Sequence, residues 1–148
     1  VNTRPETIIG LGLDLIELAR FRAAWERRGD RLLARIFTDH ERQACMRRRD
    51  PVPELAARFA AKEATFKAIG TGLRQGVRWR DVEVRNAPSG RPYLRVSGRV
   101  AEIARSLGGR RLVVSITHSV DTAAAQVMLI GTPGAVPWDE DQIEERDE

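Results

Sequence analysis

The chain has 148 residues but only one cysteine, two histidines and two lysines. A single thiol, Cys45, cannot close an internal disulfide or build a thiolate metal cage, and nothing beside it suggests a nucleophile. His40 and His118 are too few for a histidine-rich metal site. Aromatic residues make up 5% of the chain, and no row of them alternates along a strand, so a platform for stacking bases is missing. No apolar run approaches the ~20 residues of a membrane span. No basic–apolar–small leader opens the sequence, which sets the expectation of a cytoplasmic protein with no membrane partner.

What the chain does have is arginine. All but two of its 25 basic residues, Lys62 and Lys67, are arginines. The charge is unevenly divided. Residues 132–148 carry seven acids against Arg146, a net −6, so a chain of net +4 has a body of +10. A basic body suits an anionic partner: phosphate, nucleic acid or an acidic protein. The runs Arg27-Arg28 and Arg47-Arg48-Arg49 read as exposed faces. Length and composition indicate one domain, residues 1–131, followed by an acidic, disordered tail, residues 132–148.

The hydrophobic pattern orders the body. Thr7–Leu13 has strand length and ends at Asp14. Leu18, Phe21 and Trp25 share one face of a helix expected over Glu17–Arg28. A short helical piece, Arg31–Phe37, follows. Thr38 and Glu41 have capping-box spacing, which predicts a helix from Asp39 to about Arg48. Pro53 suits the first turn of a longer helix running to Ile69, and Gly70 can end it in a left-handed conformation. The second half changes period. Strands are expected over Asp81–Arg85, Arg91–Val96, Leu112–His118 and Ala123–Ile130, with one helix at Val100–Leu107. The short link Ser119–Asp121 implies antiparallel pairing. Helices and strands are segregated, so the fold class is α+β, an N-terminal strand and helices packed on a mostly antiparallel sheet.

Two places carry chemistry. On the long helix, Glu63 and Lys67 lie one turn apart, which by itself describes a surface pair worth ~0.3–0.5 kcal/mol. Around them stand Ala60, Ala61, Ala64 and Ala68, so something approaches this helix closely. Gly70-Thr71-Gly72 at its end is a C-cap and turn, or a place where a ligand reaches backbone N–H groups. The second place is Gly10-Leu11-Gly12-Leu13-Asp14. It lacks the third glycine of a dinucleotide fingerprint and the lysine of a P-loop. It reads instead as a strand whose small residues admit a neighbour and which ends in a carboxylate. Packed beside the long helix, Asp14 and Glu63 would give the two carboxylates that usually hold magnesium together with water and substrate phosphates. His118 closes a strand and reads as a base, a phosphate donor or a hydrogen-bonded sheet-end residue. His40 lies in a capping sequence and reads as structural or exposed.

Taken in order, these segments resemble a known family. Gly10–Asp14 with Arg20, Arg58-Phe59-Ala60-Ala61-Lys62-Glu63-Ala64 with Lys67, Gly70–Gly72, Trp79-Arg80-Asp81-Val82-Glu83-Val84, Gly90-Arg91-Pro92 and Val114–Ser119 are similar to the holo-acyl-carrier-protein synthases. These are the short, bacterial-type 4′-phosphopantetheinyl transferases. The likeness covers about residues 8–130 and leaves out the short polar stretch Val1–Glu6 and the acidic tail. It implies transfer of phosphopantetheine from coenzyme A to a serine of an apo acyl carrier protein, with Mg²⁺, in a homotrimer with sites between subunits. It also implies residue roles. Asp14 and Glu63 are the metal ligands, and Glu63, directly or through a water, is the base. Lys67 faces the phosphates, Gly70, Thr71 and Gly72 line the coenzyme, and His118 contributes to coenzyme binding. Arg20 matches the family's docking position for an acidic carrier, and Arg22, two residues on, joins that surface by its placement on the helix alone.

Two other classes compete with this one. A nucleic-acid-binding module would use the basic body, but the sequence shows no reading element and would leave Asp14 and Glu63 idle. A structural oligomer without catalysis would need one of these acids replaced. Within the enzyme class, the carrier serves either fatty-acid synthesis or a polyketide/peptide synthetase.

Overall fold

The computed structural model describes residues 5–132, and the expected disorder of the tail lies outside them. The chain opens with β1 (Thr7–Glu17), then α1 (Leu18–Arg28), α2 (Asp30–Ile36), α3 (Asp39–Met46) and α4 (Val52–Ala68). A 3-10 turn at Trp79–Asp81 leads into β2 (Val82–Asn86) and β3 (Pro92–Val96). Then come α5 (Gly98–Ser106), β4 (Gly109–His118) and β5 (Thr122–Gly131). The expected α+β class is observed. β1, β5 and β4 form an antiparallel sheet in that order, and β2 and β3 form a separate hairpin.

β1 is longer than the sequence pattern suggests. It continues past Leu13, so Asp14 sits inside the strand, opposite Ala125, instead of at its end. Pairing with the full length of β5, down to Glu17 opposite Thr122, extends it. Leu13 and Leu15 then point outward while Asp14 and Ile16 turn toward the helices.

α4 lies across the inner face of this sheet, and the glycines of β1 make that possible. A Cβ on Gly10 would collide with the Ala68 carbonyl oxygen, and one on Gly12 with that of Ala64. The neighbour that the alanines admit is therefore β1. Ala60, Ala61, Ala64 and Ala68 pack with Val114, Ala125 and Val127 in the tight layer between helix and sheet. Larger side chains fill both ends of it. Phe21, Phe37, Leu33 and Leu55 cluster at one end, and Phe66, Ile69, Val82 and Val100 at the other. Each such side chain contributes ~1.5–3 kcal/mol by leaving water.

The capping box at the start of α3 is present: Thr38 Oγ1 accepts from the Glu41 N–H at 3.3 Å, and Glu41 Oε1 accepts from the Thr38 N–H at 3.0 Å. Glu41 does more than cap. Its carboxylate is fully buried and lies 2.7 Å from Lys62 Nζ, also fully buried. Lys62 donates in addition to the Trp79 and Val82 carbonyls, while Glu41 Oε2 accepts from the Val84 N–H at 3.0 Å. All three ammonium donors are used. Burial pushes Lys62 below its ordinary value, and the Glu41 charge pulls against that shift. This pair ties α3, α4 and β2 together.

Candidate active site

β1 runs antiparallel to α4. Gly12 touches Ala64, and Asp14 lies two residues further on the same strand face. Two strand residues cover about one helical turn, which carries Asp14 past Ala64 toward the N-terminal side of α4, where Glu63 lies beside it and the long Lys67 side chain reaches back to it. Lys67 Nζ donates to Asp14 Oδ1 at 3.2 Å and to the Leu13 carbonyl at 2.9 Å. The ion pair therefore crosses from helix to strand and does not run along α4. Burial pushes the half-buried Glu63 carboxyl above its ordinary value, and the neighbouring Asp14 charge pushes it further. Lys67 and Arg20 partly offset the rise. Two carboxylates within hydrogen-bonding reach of each other concentrate negative charge where a cation would be welcome.

The pair opens into a cleft of about 770 Å³ between α1, α2 and α4. Phe21, Phe59, Ile36 and Trp79 form its apolar wall, and Phe59 stacks on Trp79 with ring centroids 5.0 Å apart. Arg20, Arg27, Arg28 and Arg35 line it as well. Arg20, Ala23, Ala24, Arg27 and Arg28 recur at i, i+3, i+4, i+7 and i+8, a single stripe of α1. That spacing was available in the sequence. Arg27-Arg28, expected as an ordinary exposed face, borders the cleft, and Arg35 joins from α2.

Arg20 and Arg22 part company. Two residues turn a helix by about 200°, so Arg22 leaves the cleft and pairs with Asp50 at 2.7 Å. Gly70 ends α4 with φ +77°, as expected. The N–H groups of Gly70, Thr71 and Gly72 are taken by the Lys67 and Phe66 carbonyls, and the buried Thr71 hydroxyl donates to the Gly72 carbonyl at 2.7 Å. His118 is exposed at the end of β4, with β5 between it and β1. Asp14, Glu63, Lys67 and Arg20 are thus brought together. Arg22 and His118 lie apart from them in the one chain. His40 is exposed. Cys45 is buried, and burial raises its thiol to about 11. The sequence reading missed the Glu41–Lys62 pair because burial of a cap residue leaves no mark on spacing.

Residues 10–117 match the model of the 4′-phosphopantetheinyl transferase superfamily. The holo-[acyl-carrier-protein] synthase of Koribacter versatilis is 47% identical over 122 residues, covering 82% of this chain and 98% of that protein. Its counterpart in Methylobacterium radiotolerans is 46% identical over 133 residues, 87% of this chain and 98% of the other. Among solved structures, the Neisseria meningitidis synthase superposes with a TM-score of 0.77 at 32% identity, over 83% of this chain and 98% of that one. The Bacillus anthracis synthase, in complex with CoA (3′,5′-ADP), gives 0.70 at 36%, over 84% and 98%. By sequence and by fold, the chain belongs to the 4′-phosphopantetheinyl transferase superfamily.

Proposed function

We infer that the chain moves the 4′-phosphopantetheine arm of coenzyme A onto a serine hydroxyl of an apo acyl carrier protein, releasing 3′,5′-ADP. The observation that carries this reading is the meeting of Asp14, Glu63 and Lys67 at the head of an arginine-lined cleft.

The donor set fits Mg²⁺. Among the described residues no cluster of three or more His, Cys, Asp or Glu side chains forms. Magnesium needs fewer, because it keeps waters and takes oxygens from substrate phosphates. Asp14 and Glu63 would hold it. When bound, Mg²⁺ neutralises charge on the pyrophosphate and polarises the phosphorus under attack.

The remaining work falls to side chains. Glu63, directly or through one water, accepts the serine proton as the hydroxyl oxygen bonds to the β-phosphorus of the pyrophosphate. Its raised pKa suits a base. The bond from that phosphorus to the bridging oxygen breaks, and the electron pair leaves with 3′,5′-ADP. Lys67 spends two donors on Asp14 and Leu13 and keeps a third for a phosphate oxygen. Gly70, Thr71 and Gly72 serve the coenzyme through their surface, since their N–H groups are spoken for. Arg20 and its stripe on α1 receive the acidic carrier, with Arg22 at the margin.

The reading includes a homotrimer. Leu11, Leu13 and Leu15 stand 55%, 60% and 65% exposed on the outer face of the sheet, the Leu11 row continuing into Met128 and Val113. Contiguous exposed apolar surface of this kind marks an interface. In such an assembly His118 would serve the coenzyme of a neighbouring copy. No described helix is long and apolar enough to cross a membrane, and the reading is of a cytoplasmic enzyme.

The test is mass spectrometry of apo carrier incubated with the protein, coenzyme A and Mg²⁺, with an EDTA control. The expected result is a metal-dependent gain of one phosphopantetheine on a fatty-acid carrier. Gain only on a synthetase carrier would make the enzyme a specialised one. No gain on any carrier, with coenzyme A still bound, would overturn the reading.

A further inference from the structure

Asp14, Glu17 and Glu63 line the cleft together with four arginines, and it is the arginine rim that is opposite in charge to the segment beyond Thr132. Arg20, Arg27, Arg28 and Arg35 border the cleft, and none of the four forms an ion pair with another described residue. The segment Asp139–Glu148 holds seven acids and one arginine in ten residues. It lies outside the stretch that matches the superfamily, residues 10–117. Whatever it does is therefore added to the shared chemistry.

We propose that this acidic segment docks on the arginine rim of the cleft and competes there with the acidic carrier. The proposal rests on the reading that the cleft receives the carrier. Chain length selects which acids take part. β5 ends at Gly131, paired with Thr7, at the opposite end of the sheet from Glu17, where α1 and the cleft begin. The span from Thr7 to Glu17 is about 33 Å at strand rise. Even fully extended, the chain from Gly131 to Asp139 covers only ~28 Å, whereas Glu144 reaches ~45 Å and Glu148 ~58 Å. Glu144, Glu145, Asp147 and Glu148 therefore meet the rim arginines of the same chain. Tethering puts these four carboxylates at an effective concentration near the millimolar range, enough for a weak charge-driven contact to compete at low salt.

The test uses the full-length chain with Glu144→Gln, Glu145→Gln, Asp147→Asn and Glu148→Gln combined. At about 50 mM salt its carrier KM should fall by about three- to tenfold, with kcat and the coenzyme A KM unchanged. The difference should vanish near ~0.5 M salt, where screening shortens to a few ångströms. In a second measurement, a benzoylphenylalanine photo-cross-linker at position 143 should label peptides of α1 and α2. An unchanged carrier KM at low salt overturns the proposal, and so do cross-links confined to other surfaces. If neither protein modifies any carrier, the proposed function fails, and the cross-link map alone decides whether the segment occupies the cleft.

Discussion

Lys67 reaches across from α4 to Asp14 on β1, 3.2 Å away, and not along its own helix to Glu63. The contact ties β1 to α4 beside Glu63. It also sets the two carboxylates apart. Asp14 is held by a cation, while Glu63 is left with a raised pKa and an open side toward the cleft.

Glu63→Gln should keep the fold and lose most of the transfer, by at least about a hundredfold in kcat, since it removes a ligand charge and the base together. Thermal melting would show the fold intact, and single-turnover assays the loss. Ordinary turnover by the variant would exclude Glu63 from the reaction.

Charge reversal should distinguish two arginines one helical face apart. Arg20→Glu should raise the carrier KM more than the coenzyme A KM, and its effect should shrink with salt. Arg22→Glu should do less to the carrier, because Arg22 is already paired with Asp50 outside the cleft. Steady-state kinetics with each substrate varied would decide, and equal effects on the carrier would contradict the assignment of the cleft face.

Lys62→Met should destabilise the chain by ~3–5 kcal/mol, because it strands the Glu41 carboxylate in a site closed to bulk solvent. Adding Glu41→Gln should recover part of the loss. Denaturant unfolding of the single and double variants measures both. A single variant as stable as the parent would mean that water enters this site.

The thiol of Cys45 should resist alkylation in the folded chain at pH 8 and react on unfolding. Its folded pKa of about 11 lies above the unfolded value near ~8.5, so the neutral thiol is the form that the fold prefers. The sign follows: between those two values the unfolded chain sheds the proton first, and stability falls as pH rises through the window. Rapid labelling of native protein at pH 8 would refute the burial of this group.

Leu13→Arg should disperse the assembly without unfolding the subunit, since Leu13 is 60% exposed in the single chain. Sedimentation would show the loss of trimer, and melting would show the retained fold. Transfer should fall with assembly if His118 serves a neighbouring site. A parent chain that sediments as a monomer would overturn the trimer reading.

By itself, the sequence determined the elements and most of the site. The apolar period placed α1, Thr38 with Glu41 announced the start of α3, Pro53 and Gly70 announced the two ends of α4, and Gly10–Asp14 with Glu63 announced two carboxylates. These are local signals, carried by propensity and by spacing along one chain. Tertiary structure decided what those signals face. It extended β1 beyond Asp14 because β5 offered a full-length partner, and it gave Lys67 to Asp14 because the glycines of β1 let strand and helix close on each other. It sent Arg20 into the cleft and Arg22 to Asp50, and it buried Glu41 against Lys62. Lys67 and Asp14 are 53 positions apart, and the strand pairing that sets Asp14 opposite Ala125 joins residues further apart still. Only packing brings them within ångströms, so spacing along the chain cannot announce them.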